Sequence, residues 1–130
     1  MIALDSSALI AIALREPGWD LCFTAINREP DLIISAVTLT ETLIVAARRQ
    51  VPHKMPRYLD ALSLTVVPLD RAGSYRAAAA YAQWGKGNHP ARLNFVDCFS
   101  YDVAKQHDCP LLFIGNDFSQ TDIRSALAVD

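Results

Sequence analysis

Asp5, Glu41, Asp97 and the Asn116-Asp117 pair are the residues whose types and placing could do chemistry in this sequence. Asp5 follows the apolar run Ile2-Ala-Leu4 directly, and Asn116-Asp117 follows the run Leu111–Ile114 across a single glycine. Glu41 is expected in the first turn of the helix after the second apolar run, and Asp97 in the first turn of the last long helix. When strands alternate with helices, function gathers at the carboxyl ends of the strands. Four acids placed where strand ends meet helix starts should therefore converge, each close pair repelling by about 1–4 kcal/mol at surface-like dielectric. No lysine or arginine adjoins Asp5, Glu41 or Asp97 in sequence, so a bound metal ion is the natural counter-charge. An all-oxygen donor set selects Mg²⁺ or Mn²⁺ over zinc. Such a site supports phosphodiester hydrolysis, because the metal polarises the phosphate and acidifies a water.

Each acid also has an ordinary structural explanation. Asp5 could cap the helix that begins near Ser6. Thr38-Leu-Thr-Glu41 reads formally as a capping box, in which Glu41 bonds back to the amide of Thr38. Asp97 could be a first-turn acid favoured by the helix dipole, and Asn116-Asp117 is ordinary turn chemistry. The metal reading rests on the sum of the four.

The elements that must position these residues are short. Strand-length apolar runs lie at Ile2–Leu4, Leu32–Ser35, Leu64–Val67 and Leu111–Ile114. Helical periodicity fills Ser7–Leu14, Trp19–Asn27 after the Pro17-Gly18 break, and Thr38–Arg49, whose stripe is Leu39, Thr42, Leu43 and Ala46. Asp70 is expected to cap a helix running to Trp84, ended by Gly85-Lys-Gly87. The last long helix spans roughly Phe95–Gln106, with Val96, Phe99 and Val103 toward the core. The expected fold class is α/β: a three-layer α/β/α domain around a mostly parallel sheet of four to five strands.

The composition narrows the class. A chain of 130 residues with 52% hydrophobic and 20% charged residues fits one globular domain over 1–130. A net charge of −2 carries no whole-domain basic signal for nucleic acid. Three widely spaced cysteines, Cys22, Cys98 and Cys109, form neither a disulfide framework nor a zinc knuckle and read as buried thiols in a reducing cytoplasm. Cys98 is a poor nucleophile, since Asp97 beside it disfavours the thiolate. No signal peptide or membrane span is visible. His53, His89 and His107 lack zinc spacing. His89 suits RNA contact or a solvated loop, and Trp19 and Trp84 suit core or interface. Arg48, Arg49, Lys54 and Arg57 read as a solvated surface or a partner contact, whereas Lys86 and Arg92 are better placed to hold phosphates near the acids.

Motifs then point further. Asp5-Ser-Ser-Ala-Leu resembles the opening strand of PIN domains, and Thr40-Glu41 sits where their second acid falls. Gly85-Lys-Gly-Asn-His-Pro-Ala-Arg-Leu-Asn-Phe-Val-Asp-Cys-Phe-Ser-Tyr-Asp-Val-Ala-Lys105 looks very like the GKG-H-A-LN-GDCFSYALAK stretch of VapC-type toxins. Leu111–Ile123 is similar to their tail. The resemblance covers essentially the whole chain. It implies a metal-dependent endoribonuclease, the toxin of a toxin–antitoxin pair, with an RNA substrate, a VapB-like antitoxin partner, a homodimer and no membrane. It further implies Asp5 and Asp97 as the principal metal ligands, Glu41 completing the site, and a C-terminal acid helping directly or through water. Many relatives have an acid where this chain has Asn116, so Asp117 or a water-mediated Asn116 fills the fourth role. Val96 replaces the family's glycine and Asp102 an alanine. Ser7 resembles the hydroxyl that orients the first aspartate.

Two rivals remain. A phosphotransfer domain with Asp5 as nucleophile would want a second aspartate where Ser7 stands, or a lysine where Gly115-Asn116 stands. A non-catalytic PIN-like binding module would keep the acids only as caps.

Overall fold

The alternation of the strand residues builds two cores. In a computed structural model, which describes residues 1–127, Ile2, Leu4, Leu32, Ile34 and Leu112 pack into one hydrophobic cluster. Their neighbours Ala3, Ile33, Leu111 and Phe113 pack into another. Successive strand side chains point to opposite faces, so a sheet apolar at every position must be covered on both.

Four strands do this: β1 (Ile2–Leu4), β2 (Leu32–Ser35), β3 (Leu64–Val67) and β4 (Leu111–Leu112). They pair in parallel in the order β3-β2-β1-β4. Ile2 registers with Leu32, and Ala3 with Leu111. The first cluster draws in α1 (Ser6–Leu14), α2 (Trp19–Arg28), α3 (Ala36–Arg48) and α4 (Lys54–Asp60). The second draws in α5 (Arg71–Trp84) and α6 (Asp97–Gln106). The expected α/β/α architecture is present.

The strand order explains where a site can form. From β1 the chain moves outward to β2 and β3, then returns to the other side of β1 as β4. The connections leaving β1 and entering β4 part here, opening a crevice beyond their carboxyl ends. Asp5 ends β1 at that crevice, and Gly115 (φ +105°) turns the chain toward Asn116 beyond β4.

Several boundaries differ from the sequence expectation. Ser35 closes β2 and caps α3 by accepting from the Val37 amide. The helix therefore starts at Ala36, Thr38 lies inside it, and Glu41 stands in its second turn rather than its first. The Thr38–Glu41 capping box does not exist. Leu43, expected on the buried stripe, is 38% exposed, while Thr38, Thr42 and Ala46 are buried. β4 stops at Leu112 instead of Ile114, and α4 was not anticipated. Asp70 does cap α5, accepting from the Gly73 amide. β3 is half exposed because it forms the sheet edge.

Candidate active site

Asp5 is the anchor of the site. It is buried, and as N-cap of α1 its Oδ2 accepts from the Ser7 amide at 3.1 Å and the Ser7 hydroxyl at 2.7 Å. Ser7 Oγ in turn accepts from the Ile114 amide at 3.0 Å, joining the ends of β1 and β4. Asp5 Oδ1 accepts from Ser100 Oγ of α6 at 2.8 Å. The helix-cap reading of Asp5 holds: the cap uses Oδ2, and Oδ1 is turned to Ser100 instead.

Asp97 repeats this division. Its amide donates to Asn94 Oδ1 at 2.9 Å, and its Oδ2 accepts from the Asn94 amide at 3.0 Å. That reciprocal pair fixes the entry to α6. Burial pushes the Asp97 carboxyl up to about 7, reinforced by the negative charges of Asp5, Asp117 and Glu41, while the Asn94 amide opposes the shift. Asp5, Asp117 and Glu41 thus all lie near enough for their charge to act on Asp97. Glu41 is likewise raised, first by burial and then by Asp5, against the Ser6 hydroxyl, which donates to Oε1 at 2.7 Å.

Among the described residues, no ion pair reaches any of the four acids. Nor, among them, do three histidine, cysteine, aspartate or glutamate side chains close into a preformed cage. Mg²⁺ keeps several waters and takes only one or two protein carboxylates in nucleotide-processing sites, so it needs no such cage. Hard oxygen donors and excess negative charge, unpaired with any cation among the described residues, fit such an ion.

The remaining expected residues fall as follows. Asn116 and Asp117 are both exposed, and Asp117 is the one whose charge acts on Asp97. Asn116 accepts through its backbone carbonyl from Ser119 Oγ. Lys86 and Arg92 are exposed on the loop that leads into Asn94 and Asp97, and neither enters an ion pair among the described residues. That loop is pinned by Lys86 N–H to Leu93 O and Leu93 N–H to Trp84 O. His89 Nδ1 accepts from the Ala91 amide, and its ring stands edge-on to Trp84, so it serves the loop's shape. Cys98 is buried and raised to about 11, by burial first and then by Asp97.

Sequence reasoning missed Ser6, Asn94, Thr38 and Ser100. Only Ser100 carried a readable signal, lying one turn after Asp97 on the same helix face.

A PIN-domain family model matches residues 2–124, and the chain belongs to the PIN-domain family. Ribonuclease VapC42 of Mycobacterium tuberculosis is 39% identical over 127 residues, 95% of this chain and 97% of the relative. VapC20 of M. tuberculosis, described as a sarcin-ricin-loop-cleaving toxin, has the same fold at TM-score 0.78 and 17% identity, covering 95% of this chain and 96% of that one. A toxin–antitoxin complex from Klebsiella pneumoniae aligns at TM-score 0.71 and 17% identity, over 94% of this chain and 93% of that one. Among the described residues, no helix is long and apolar enough to cross a membrane.

Proposed function

We propose that this chain is a divalent-metal-dependent endoribonuclease and the toxin of a toxin–antitoxin pair. The observation that carries the reading is the Asp97 carboxyl, pushed up to about 7 by burial and by three neighbouring acids, with no ion pair to any of them among the described residues. Asp5 and Asp97 would hold Mg²⁺ or Mn²⁺, with Glu41 and Asp117 completing the acidic set. When bound, the ion supplies Lewis acidity toward the phosphate and an acidified water as nucleophile.

The chain's own residues do the rest. Ser7 and Ser100 hold the Asp5 carboxylate still. Ser6 holds Glu41 by Oε1, which turns the rest of the carboxylate toward orienting a water or accepting its proton. Asn94 fixes Asp97 Oδ2 and leaves Oδ1 for the pocket. Lys86 and Arg92, exposed and in no ion pair among the described residues, hold RNA phosphates on the loop ahead of Asp97. The similarity to a ribonuclease and to the toxin–antitoxin complex supports an RNA substrate and an antitoxin partner. A homodimer acting in the cytoplasm, each chain a single catalytic unit, completes the reading.

The test is cleavage of total cellular RNA by the purified chain with and without added Mg²⁺, and with mapping of the new ends. Discrete ends that need the metal and vanish in Asp5→Asn and Asp97→Asn support the proposal. Intact RNA in the presence of Mg²⁺ and Mn²⁺ would favour a non-catalytic binding module.

A further inference from the structure

We infer that Thr38 and Ser100 form a buried hydroxyl relay that positions Asp5 and leaves its Oδ1 as the one oxygen open to a metal ion. The inference rests on the proposed role of Asp5 as a ligand. Ser100 Oγ lies 2.8 Å from Asp5 Oδ1 and 2.8 Å from Thr38 Oγ1. Asp5, Thr38 and Ser100 are 4%, 0% and 2% exposed, so water does not compete for these hydrogens. An ionised carboxylate can only accept, and each hydroxyl has one hydrogen to give. Ser100 therefore donates to Asp5, and the hydrogen between the two hydroxyls must come from Thr38. The order Thr38 to Ser100 to Asp5 follows from counting hydrogens, and bonds in such a chain strengthen one another.

The same count distinguishes the two carboxylate oxygens. Oδ2 receives both the amide and the hydroxyl of Ser7, which occupies its two lone pairs. Oδ1 receives Ser100 alone and keeps one lone pair. Asp5 is thus built as a ligand through a single oxygen, and Ser100 sets the direction of that oxygen. Ser100 also stands one turn after Asp97 on α6, so a single helical turn ties the two proposed ligands together. Thr38 reaches this relay from α3, the helix that carries Glu41. Ser100 and Thr38 are accordingly positioning residues, acting on the ion through Asp5.

The experiment is Mn²⁺ titration of the metal-stripped full chain, read by water-proton relaxation, beside RNA cleavage kinetics at several Mn²⁺ concentrations. Ser100→Ala should raise the half-saturating Mn²⁺ concentration about tenfold, the low end for loss of a group that holds a metal ligand. Its kcat should recover at saturating Mn²⁺, with the KM for RNA unchanged. Thr38→Val removes only the far donor and should raise half-saturation about threefold, a fraction of that effect. The double variant should bind no more weakly than Ser100→Ala. Unchanged or tighter Mn²⁺ binding in Ser100→Ala, with only a lower melting temperature, overturns the relay in favour of plain packing. Should Ser100→Ala fail to fold, Thr38→Val decides alone, and unchanged half-saturation there overturns the relay. Wild-type chain that binds no Mn²⁺ would overturn the metal-site reading itself and the relay with it.

Discussion

Ser6, the first residue of α1, donates its hydroxyl to Glu41 Oε1 at 2.7 Å across 35 positions of chain. This bond, rather than a helix cap, accounts for where the Glu41 side chain is held. It also links α1 to α3 on the side of the sheet where Asp5 ends β1. Glutamine at position 41 keeps an oxygen for Ser6 but has no charge. Glu41→Gln should therefore leave stability within about 0.5 kcal/mol, as for a substitution that keeps its contacts. Cleavage should fall on the order of 10²-fold, the low end for loss of a proton-transfer group. Ser6→Ala, which frees the carboxylate without removing it, should cost about fivefold in rate, the equivalent of one hydrogen bond. Initial rates on one RNA substrate check both. Full activity in Glu41→Gln would take Glu41 out of the site.

The fourth acidic position divides Asn116 from Asp117. Only Asp117 carries charge, and its field reaches Asp97. Asp117→Asn should weaken Mn²⁺ binding or rate more than Asn116→Ala does, by about 1 kcal/mol for one exposed charge at short range. The reverse order in Mn²⁺ titrations would place the water-orienting role on Asn116.

Asp102 of α6 has its counter-charge on α5. Arg76 Nε and Nη2 donate to its two oxygens at 2.8 and 3.3 Å, and Asp102 is nearly buried while Arg76 is 41% exposed. Arg76→Ala strands a buried carboxylate and should cost about 1–2 kcal/mol, discounted from the 3–5 of a fully buried pair because Arg76 meets solvent. Removing both partners should cost less than removing Arg76 alone. Urea melts of the two single variants and the double variant measure the coupling. A double variant less stable than Arg76→Ala would show that the pair is not a compensated unit.

What was legible in the sequence followed from local rules. The β1, β2 and β3 limits came from apolar runs with clear edges. The placing of acids at strand ends came from the parallel-sheet rule, which needs only the alternation of elements. What failed was nonlocal. Thr38 and Glu41 satisfied a capping-box pattern, but Ser35 caps one turn earlier, and no spacing within α3 says which of two good caps wins. α4 lacks a clear start, since its N-cap His53 makes no side-chain bond, and its place rests on Met55 and Leu59 reaching the core. Ser6 looks like an ordinary polar residue until the fold sets it against Glu41, and Ser100 signals only its place one turn after Asp97, not its bond to Asp5.

Asp97 supplies a test that needs no substrate. Its folded carboxyl titrates near 7, raised from an ordinary value of 3.8. Between those limits the native chain holds a proton that the unfolded chain has released. Stability from this group is therefore fully present below about pH 4 and declines as pH rises toward about 7, with no further loss above. Metal-free Asp97→Asn keeps the shape, cannot ionise, and escapes that loss. At pH 8 the metal-free variant should melt above the metal-free wild type, by several degrees if about 1–2 kcal/mol of repulsion is relieved. Near pH 4.5 the two should melt together. Millimolar Mn²⁺ at pH 8 should raise the wild-type melting temperature by mass action and the variant's much less. That metal response should fade as pH drops below 7, because protonating Asp97 competes with the ion. A cap-only role predicts the reverse, with Asp97→Asn destabilised by about 0.3–1 kcal/mol at pH 8 and no metal response in either protein. Melting curves of both proteins at pH 4.5 and 8, in chelator and then in Mn²⁺, separate the two, and a lower-melting variant beside an unresponsive wild type would remove Asp97 from the metal site.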